Sequence, residues 1–385
     1  MIIQPSDRTT SVHEYYFSKK NREIAQLNAI RQSPIINLGI GSPDGRPPQE
    51  AIDCLCDMSQ RSGVHAYQSY VGSPELRQAF ASWYERCYGV TLNPQNEIQP
   101  LVGSKEGILI LSLAFLNKGD KVLVPDPGYP TYTSASRLCE AEIINYDLKE
   151  SNAWYPDFDA LESMNLEGVK MMWTNYPGMP TGAPASMELY QKLVAFGKKH
   201  KILICNDNPY SFILNEHPLS ILSVDGAKEC CVELNSLSKA HNMAGWRIGM
   251  IAGSSELISE FLKVKSQMDS GMFRPLQFAA VAALMQGDDW FRSLNAEYAA
   301  RKKAASRIFD YLGAKYNPDS QGLFLWGKIG PDAESISDRL LHEAGVFITP
   351  GFIFGRNGRD YLRISLCAST EVFDQALERI KDIVK

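Results

Sequence analysis

The sequence predicts an α/β fold, in which a large domain built on a mainly parallel sheet covered by helices is joined to a smaller α+β domain. Three observations carry this prediction. Short β-prone runs recur through the centre of the chain, at 122–124, 169–173, 202–205, 231–234 and 248–252, each ending near Gly, Pro, Asn or Asp. Segments of helical spacing, such as 187–200, lie between several of them, as parallel strands require. Beyond about Pro275 the pattern changes to longer helices, a strand at 324–326, a helix at 335–343, two more strands and a closing helix at 370–384.

Taken in order, the stretch through Gly41 is set apart from the main sheet by Pro43, Pro47 and Pro48, and is expected to pack on the smaller lobe. The large domain is accordingly placed at 46–274, and the small domain at 1–45 with 275–385. At 44% hydrophobic and 22% charged, the 385 residues suffice for two lobes around a buried site. A formal net charge of -5 gives no electrostatic reason for a nucleic-acid or anionic-membrane partner. The basic pairs Lys19-Lys20 and Lys198-Lys199 read as solvated helix faces. The N-terminus lacks a basic stretch followed by an apolar one, and the longest apolar run, 107–116, is far short of the ~20 residues that cross a bilayer. A cytoplasmic location is expected. Eight cysteines without a Cys-x-x-Cys pair and six scattered histidines suggest neither a disulfide scaffold nor a metal site.

In such sheets functional groups sit at the C-terminal strand ends. Ser236-Leu237-Ser238-Lys239 lies at one of them, ahead of a glycine-containing turn that carries Arg247. Desolvation lowers a lysine's pKa and makes its amine nucleophilic, while two hydroxyls and a second cation suit an anion. The ordinary alternative is a surface lysine in a loop. Asp207 and Tyr210 offer a carboxylate and a phenol three residues apart, a pair suited to a pyridine ring, because a carboxylate beside the ring nitrogen favours its protonated form. An Asx turn would explain Asp-Asn-Pro equally well. Gly103-Ser104-Lys105 opens an apolar helix, where free N–H groups can cradle a phosphate or simply reflect capping. Tyr129 stands at another strand end, to stack on a ligand or to pack in the core.

Together these segments resemble the class I/II aminotransferases of the fold-type I pyridoxal-phosphate superfamily over nearly the whole chain. The resemblance implies pyridoxal 5'-phosphate as cofactor, Lys239 as its Schiff-base lysine, Asp207 paired with the ring nitrogen and Tyr210 donating to the phenolic oxygen. It implies that Gly103, Ser104, Lys105, Ser236, Ser238 and Arg247 surround the phosphate, and that Tyr129 stacks on the ring. Tyr67, in His65-Ala66-Tyr67, resembles a tyrosine that reaches the neighbouring subunit's phosphate, which implies a homodimer with shared sites. Arg363, in Tyr361-Leu362-Arg363-Ile364-Ser365, is similar to the arginine that takes the substrate carboxylate as a fork, with Ile40 and Gly41 in the adjoining loop. The sequence departs from the family at Met179, where an asparagine usually precedes Pro-Thr-Gly. Either Asn175 replaces that donor or the phenolic oxygen keeps Tyr210 alone.

These residues imply transfer of an amino group from an amino acid to a 2-oxo acid, with 2-oxoglutarate expected as acceptor. A carbon-sulfur lyase is the alternative among enzymes. The effector-binding domain of a regulator would need an appended DNA-binding module, for which Gly41 leaves no room upstream. A plain nucleotide binder would need a Gly-x-Gly-x-x-Gly turn that is absent. Arg274 is a candidate for reading an acidic side chain.

Overall fold

In the computed structural model, which describes residues 2–383, thirteen strands form three sheets. In chain order they are β1 (Ile36–Asn37), β2 (Ile98–Leu101), β3 (Lys121–Asp126), β4 (Glu142–Asp147), β5 (Val169–Thr174), β6 (Leu203–Asp207), β7 (Cys231–Ser236), β8 (Gly249–Ala252), β9 (Lys315–Tyr316), β10 (Phe324–Lys328), β11 (Val346–Phe347), β12 (Thr349–Pro350) and β13 (Tyr361–Ser365). Met1, Val384 and Lys385 lie outside the described residues, so the expected helix end at Val384 falls there; the helix itself is Thr370–Lys381.

The large sheet has seven strands in the order β2-β8-β7-β6-β5-β3-β4, and β8 alone runs against the others. Its central strands are apolar on both sides because both faces are covered. Val122, Val124, Met171, Trp173, Cys205 and Leu234 pack under the helices Ser104–Phe115 and Ser255–Lys265, while Leu123, Met172 and Ile204 face the opposite layer. One helix of that layer is Met187–His200. Ser186 caps it by accepting from Leu189 N at 3.1 Å, a contact worth about 1 kcal/mol. Its buried stripe of Leu189, Tyr190, Leu193, Val194 and Phe196 has the helical period, and Lys201 ends it in the left-handed conformation (φ 57°).

The second sheet is antiparallel, in the order β12-β13-β10-β9, with Trp326 opposite Arg363. The N-terminal stretch joins this part of the molecule: β1 pairs with β11, and Ser365 N donates to Leu38 O at 2.8 Å. The helix Arg274–Leu284, at the expected domain boundary, packs on the large-sheet-side helices Gln49–Ser59 and Pro74–Tyr88.

Several expectations shift in detail. The strands run further than their apolar cores suggest, so Asp126, Asp207 and Ser236 are the last residues of strands rather than the first residues after them. Strand β4 was not anticipated, because as an edge strand it keeps Glu142 and Asn145 outside and shows no continuous apolar run. The helix expected at 335–343 is Ala333–Arg339 followed by a wide turn through Ala344. Lys20 is largely enclosed, paired with Glu23 and Asp338, rather than solvated. All eight cysteines are free.

Candidate active site

One cavity of about 560 Å³ opens at the C-terminal ends of the central strands, and residues from both parts of the molecule line it. From the large sheet come Ser104, Lys105, Tyr129, Asn175, Asp207, Tyr210, Ser236, Ser238, Lys239 and Arg247; Ile40, Gly41 and Arg363 come from the other side. Of the residues named from sequence, the structure therefore brings all but Gly103, Tyr67 and Arg274 to the wall of this cavity. Gly103 stands just behind it: it opens the helix Ser104–Phe115 at φ 78°, and a side chain there would begin 2.0 Å from Arg247 Nη2. Tyr67 is 91% exposed and does not line this chain's own cavity. Arg274 also lies elsewhere, at the start of its helix with its guanidinium over the Phe278 ring.

Asp207 ends β6 with one carboxylate oxygen engaged and the other bare. Oδ2 accepts from the Tyr132 hydroxyl at 2.9 Å, whereas Oδ1 is buried without a hydrogen-bond partner. Burial pushes its carboxyl up to about 7, against the opposing pull of the Tyr132 bond and the Lys239 charge. An unsatisfied buried carboxylate oxygen is costly, and a protonated ring nitrogen is the kind of donor it lacks. Tyr132, missed as a site residue from sequence, was visible there only as the second tyrosine of Tyr129-Pro130-Thr131-Tyr132. Its ring lies flat on Trp173, with centroids 4.9 Å apart and planes 3° from parallel.

Lys239 is held below the usual lysine range chiefly by burial, with the charges of Arg363 and Arg247 adding to the effect. Its Nζ donates to the carbonyl of Gly41. A side chain at Gly41 would start 2.3 Å from Phe324 Cζ, so glycine is what lets this loop lie against that ring.

Arg363 is 3% exposed and, among the described residues, has no carboxylate partner. Nη2 donates to Gly39 O at 2.6 Å, Nη1 lies 3.4 Å from Met179 Sδ, and Nε is unpartnered. The rings of Phe324, Phe354 and Phe17 surround the guanidinium at 4.0, 4.6 and 5.5 Å. Burial lowers its pKa to about 10, still charged at neutral pH. A buried fork with free donors is suited in geometry and charge to a carboxylate. Phe17, Phe324 and Phe354 gave no sequence signal beyond ordinary core aromatics.

Asn175 ties its amide to the chain with one donor and one acceptor bond: Nδ2 donates to Asp207 O at 2.6 Å and Oδ1 accepts from Met179 N at 2.7 Å. It fixes the 175–179 turn to the end of β6, and Met179 places a thioether, not a donor, beside Arg363. Tyr210 lines the cavity and packs edge-on against Phe324. At the opposite end, the first N–H groups of the helix Ser104–Phe115, the buried Ser236 and Ser238, and Arg247 gather into an anion-binding corner. Lys105 stands over the Tyr15 ring at 4.5 Å.

Pyridoxal phosphate fits these groups: Asp207 Oδ1 awaits a ring N–H, Lys239 offers a desolvated amine, and the corner beside Ser104 suits a phosphate. Comparison with known proteins agrees. A family model for aminotransferase class I and II matches residues 33–380. The chain is 38% identical to an LL-diaminopimelate aminotransferase of Nitratidesulfovibrio vulgaris, covering 98% of each chain, and 39% identical to one of Aquifex aeolicus, covering 99% of this chain and all of that one. Among solved structures, substrate-bound BacF from Bacillus subtilis superposes with a TM-score of 0.93 at 35% identity, covering 100% of this chain and 98% of that chain. The aspartate aminotransferase of Thermus thermophilus with maleate gives 0.90 at 26% identity, with full coverage of both.

Proposed function

The chain belongs to the family of class I and II aminotransferases, and from that premise we propose how its residues carry the reaction. It is a pyridoxal-phosphate-dependent enzyme that moves an amino group from an L-amino acid to a 2-oxo acid. The observation that carries the assignment of roles is the shared cavity, in which the bare Asp207 Oδ1, the desolvated Lys239 and the uncompensated Arg363 converge.

When bound, the cofactor supplies an aldehyde that exchanges amines and a protonated ring that draws electron density from the substrate's α-carbon. Asp207 holds the ring nitrogen in its protonated form, and Tyr132 keeps the carboxylate aimed. Arg363 takes the α-carboxylate, giving up its contact with Gly39 O or adding the free Nε. Lys239, whose hold on its proton is weakened chiefly by burial, removes the α-proton and returns it on the other side of the nitrogen. Water then cleaves the carbon–nitrogen bond, so that the 2-oxo acid leaves with the water's oxygen and the amino group stays behind, and a second 2-oxo acid, 2-oxoglutarate in our reading, runs the same steps backwards in a ping-pong cycle. Tyr210 donates to the phenolic oxygen without help from Met179, and Gly103, Ser104, Lys105, Ser236, Ser238 and Arg247 hold the phosphate.

We read residues 46–274 as the cofactor lobe, and 1–45 with 275–385 as the lobe that brings Arg363 to the substrate. The working unit is a homodimer. Tyr67, Tyr70, Met268 and Phe273 are large apolar residues left exposed, with His65 stacked on Phe273, and a second copy would cover them. No helix among the described residues is long and apolar enough to cross a membrane, and we assign the enzyme to the cytoplasm.

The substrate test uses the purified holoenzyme. Single amino acids are added without any 2-oxo acid while the visible band is followed, beginning with LL-diaminopimelate because the two relatives act on it. A donor that bleaches the band stoichiometrically, with recovery on adding 2-oxoglutarate, supports the reading and names the donor. Accumulation of pyruvate and ammonia instead would overturn it in favour of a lyase.

A further inference from the structure

We propose that Arg301 is a positioning residue for substrate binding, acting through Asp44 to fix the 39–45 loop against Arg363; this rests on the reading of Arg363 as the carboxylate receptor. Arg301 lies on the long helix Asp288–Leu312 and does not line the cavity. It is nonetheless 6% exposed and spends its fork on the loop: Nη1 donates to Asp44 Oδ1 at 2.6 Å and Nη2 to Asp44 Oδ2 at 3.2 Å. Nη1 also reaches Leu366 O at 3.3 Å, three residues past Arg363, while Nη2 bonds Glu297 at 2.5 Å and the guanidinium lies over the Tyr298 ring. One buried cation thus ties the substrate loop to the end of the strand that carries Arg363.

The loop matters to the chemistry because its backbone touches both reactive cations. Gly39 O accepts from Arg363 and Gly41 O from Lys239. Its ends are held separately, by Thr349 Oγ1 donating to Gly39 O at 3.1 Å and by Asn242 Nδ2 donating to Arg46 O at 3.2 Å. Asp44 is the one side chain of the 39–45 segment that forms an ion pair, and the bidentate geometry fixes orientation as well as distance. Without it the two end contacts remain, so the loop stays folded over the site but loses its register. Misplacement by about 1 Å is enough to cost binding and rate by large factors.

The experiment follows the half-reaction of the holoenzyme with the donor that bleaches its visible band, separating the apparent dissociation constant from the limiting rate. Arg301→Gln and Asp44→Asn should each raise the apparent dissociation constant about tenfold, a loss of order 1.4 kcal/mol. The visible band and cofactor affinity should stay as in the parent. Arg301→Lys, which keeps the charge but not the fork, should recover part of the loss, and the double variant should be no worse than either single one. An unchanged dissociation constant in Asp44→Asn, or a rise matched by equal loss of cofactor, would overturn the proposal. Arg363→Lys run in parallel separates the two readings: if it binds donor normally, the carboxylate assignment fails, whatever Arg301 does.

Discussion

The Tyr132 hydroxyl donates to Asp207 Oδ2 at 2.9 Å and leaves Oδ1 facing the cavity. That bond opposes the rise in proton affinity that burial imposes on Asp207. Tyr132→Phe keeps the ring on Trp173 and removes only the donor. The loss of a bond to a charged group costs about 1.5–3 kcal/mol, so cofactor affinity should fall roughly tenfold or more; equilibrium dialysis of the cofactor would show it, and unchanged affinity would remove Tyr132 from the site.

Lys239→Ala should lower turnover by at least about 10⁴-fold, since it deletes both the amine that bonds the cofactor and the base that moves the proton. The check is a coupled assay together with the loss of the lysine-linked visible band. Substantial residual turnover would sink the assignment.

Asp207 sets a pH dependence in the cofactor-free protein. Its folded pKa, about 7, lies above the 3.8 of an ordinary aspartate. A raised folded value gives a contribution fully present below the unfolded pKa and lost as pH rises through the folded one. Between about pH 4 and pH 7 the apoprotein should therefore lose up to ~1.4 kcal/mol per unit from this group. Asp207→Asn should flatten that slope in urea titrations while abolishing tight cofactor binding; an apoprotein with the parental slope would contradict the burial argument.

His241 acts on the acid side. Both ring nitrogens are buried without partners between Trp83 and Phe291, and burial depresses the pKa to about 3. A depressed value means stability present above the unfolded pKa of 6.5 and lost as pH falls toward 3, about 2 kcal/mol by pH 5. His241→Phe should lose less stability than the parent between neutral pH and about pH 5, as read from denaturant midpoints. Parallel losses in the two proteins would show that another group controls the acid limb.

If Tyr67 serves the neighbouring site, Tyr67→Ala and Lys239→Ala proteins, each nearly inactive, should complement when unfolded together and refolded. Half the dimers would then be hybrids with one intact site of two, giving about a quarter of parental activity. No recovery, with dimers formed, would place Tyr67 in its own subunit's function or in none.

The alternation of apolar runs with helical segments made the large sheet legible, because strands covered on both faces carry uninterrupted Val, Ile, Leu and Met. Strand β4, at the sheet edge, and the two-residue strands β1, β9, β11 and β12 lacked that signal, since their pairing depends on partners distant in sequence. At the site, Lys239 and Asp207 drew notice as charges near the ends of apolar strands, whereas Arg363, in the middle of β13, was legible only through the family resemblance. Tyr132, Phe324 and Phe354 drew none, since an aromatic residue in a helix or strand looks the same whether it packs on core or on a guanidinium. Nor could sequence show that the amide of Asn175 bonds Asp207 O and Met179 N, or that Arg301 reaches Asp44 across 257 positions.

The parallel stack of Tyr132 on Trp173 gives the protein an optical reporter. Trp173 is fully enclosed, one aromatic layer behind Asp207, so its emission comes from a fixed, dry environment. A chromophore seated on Asp207 absorbs where indole emits and lies within easy range of energy transfer. Filling of the site can therefore be followed as quenching, with the Trp173→Phe protein supplying the background from the other five tryptophans.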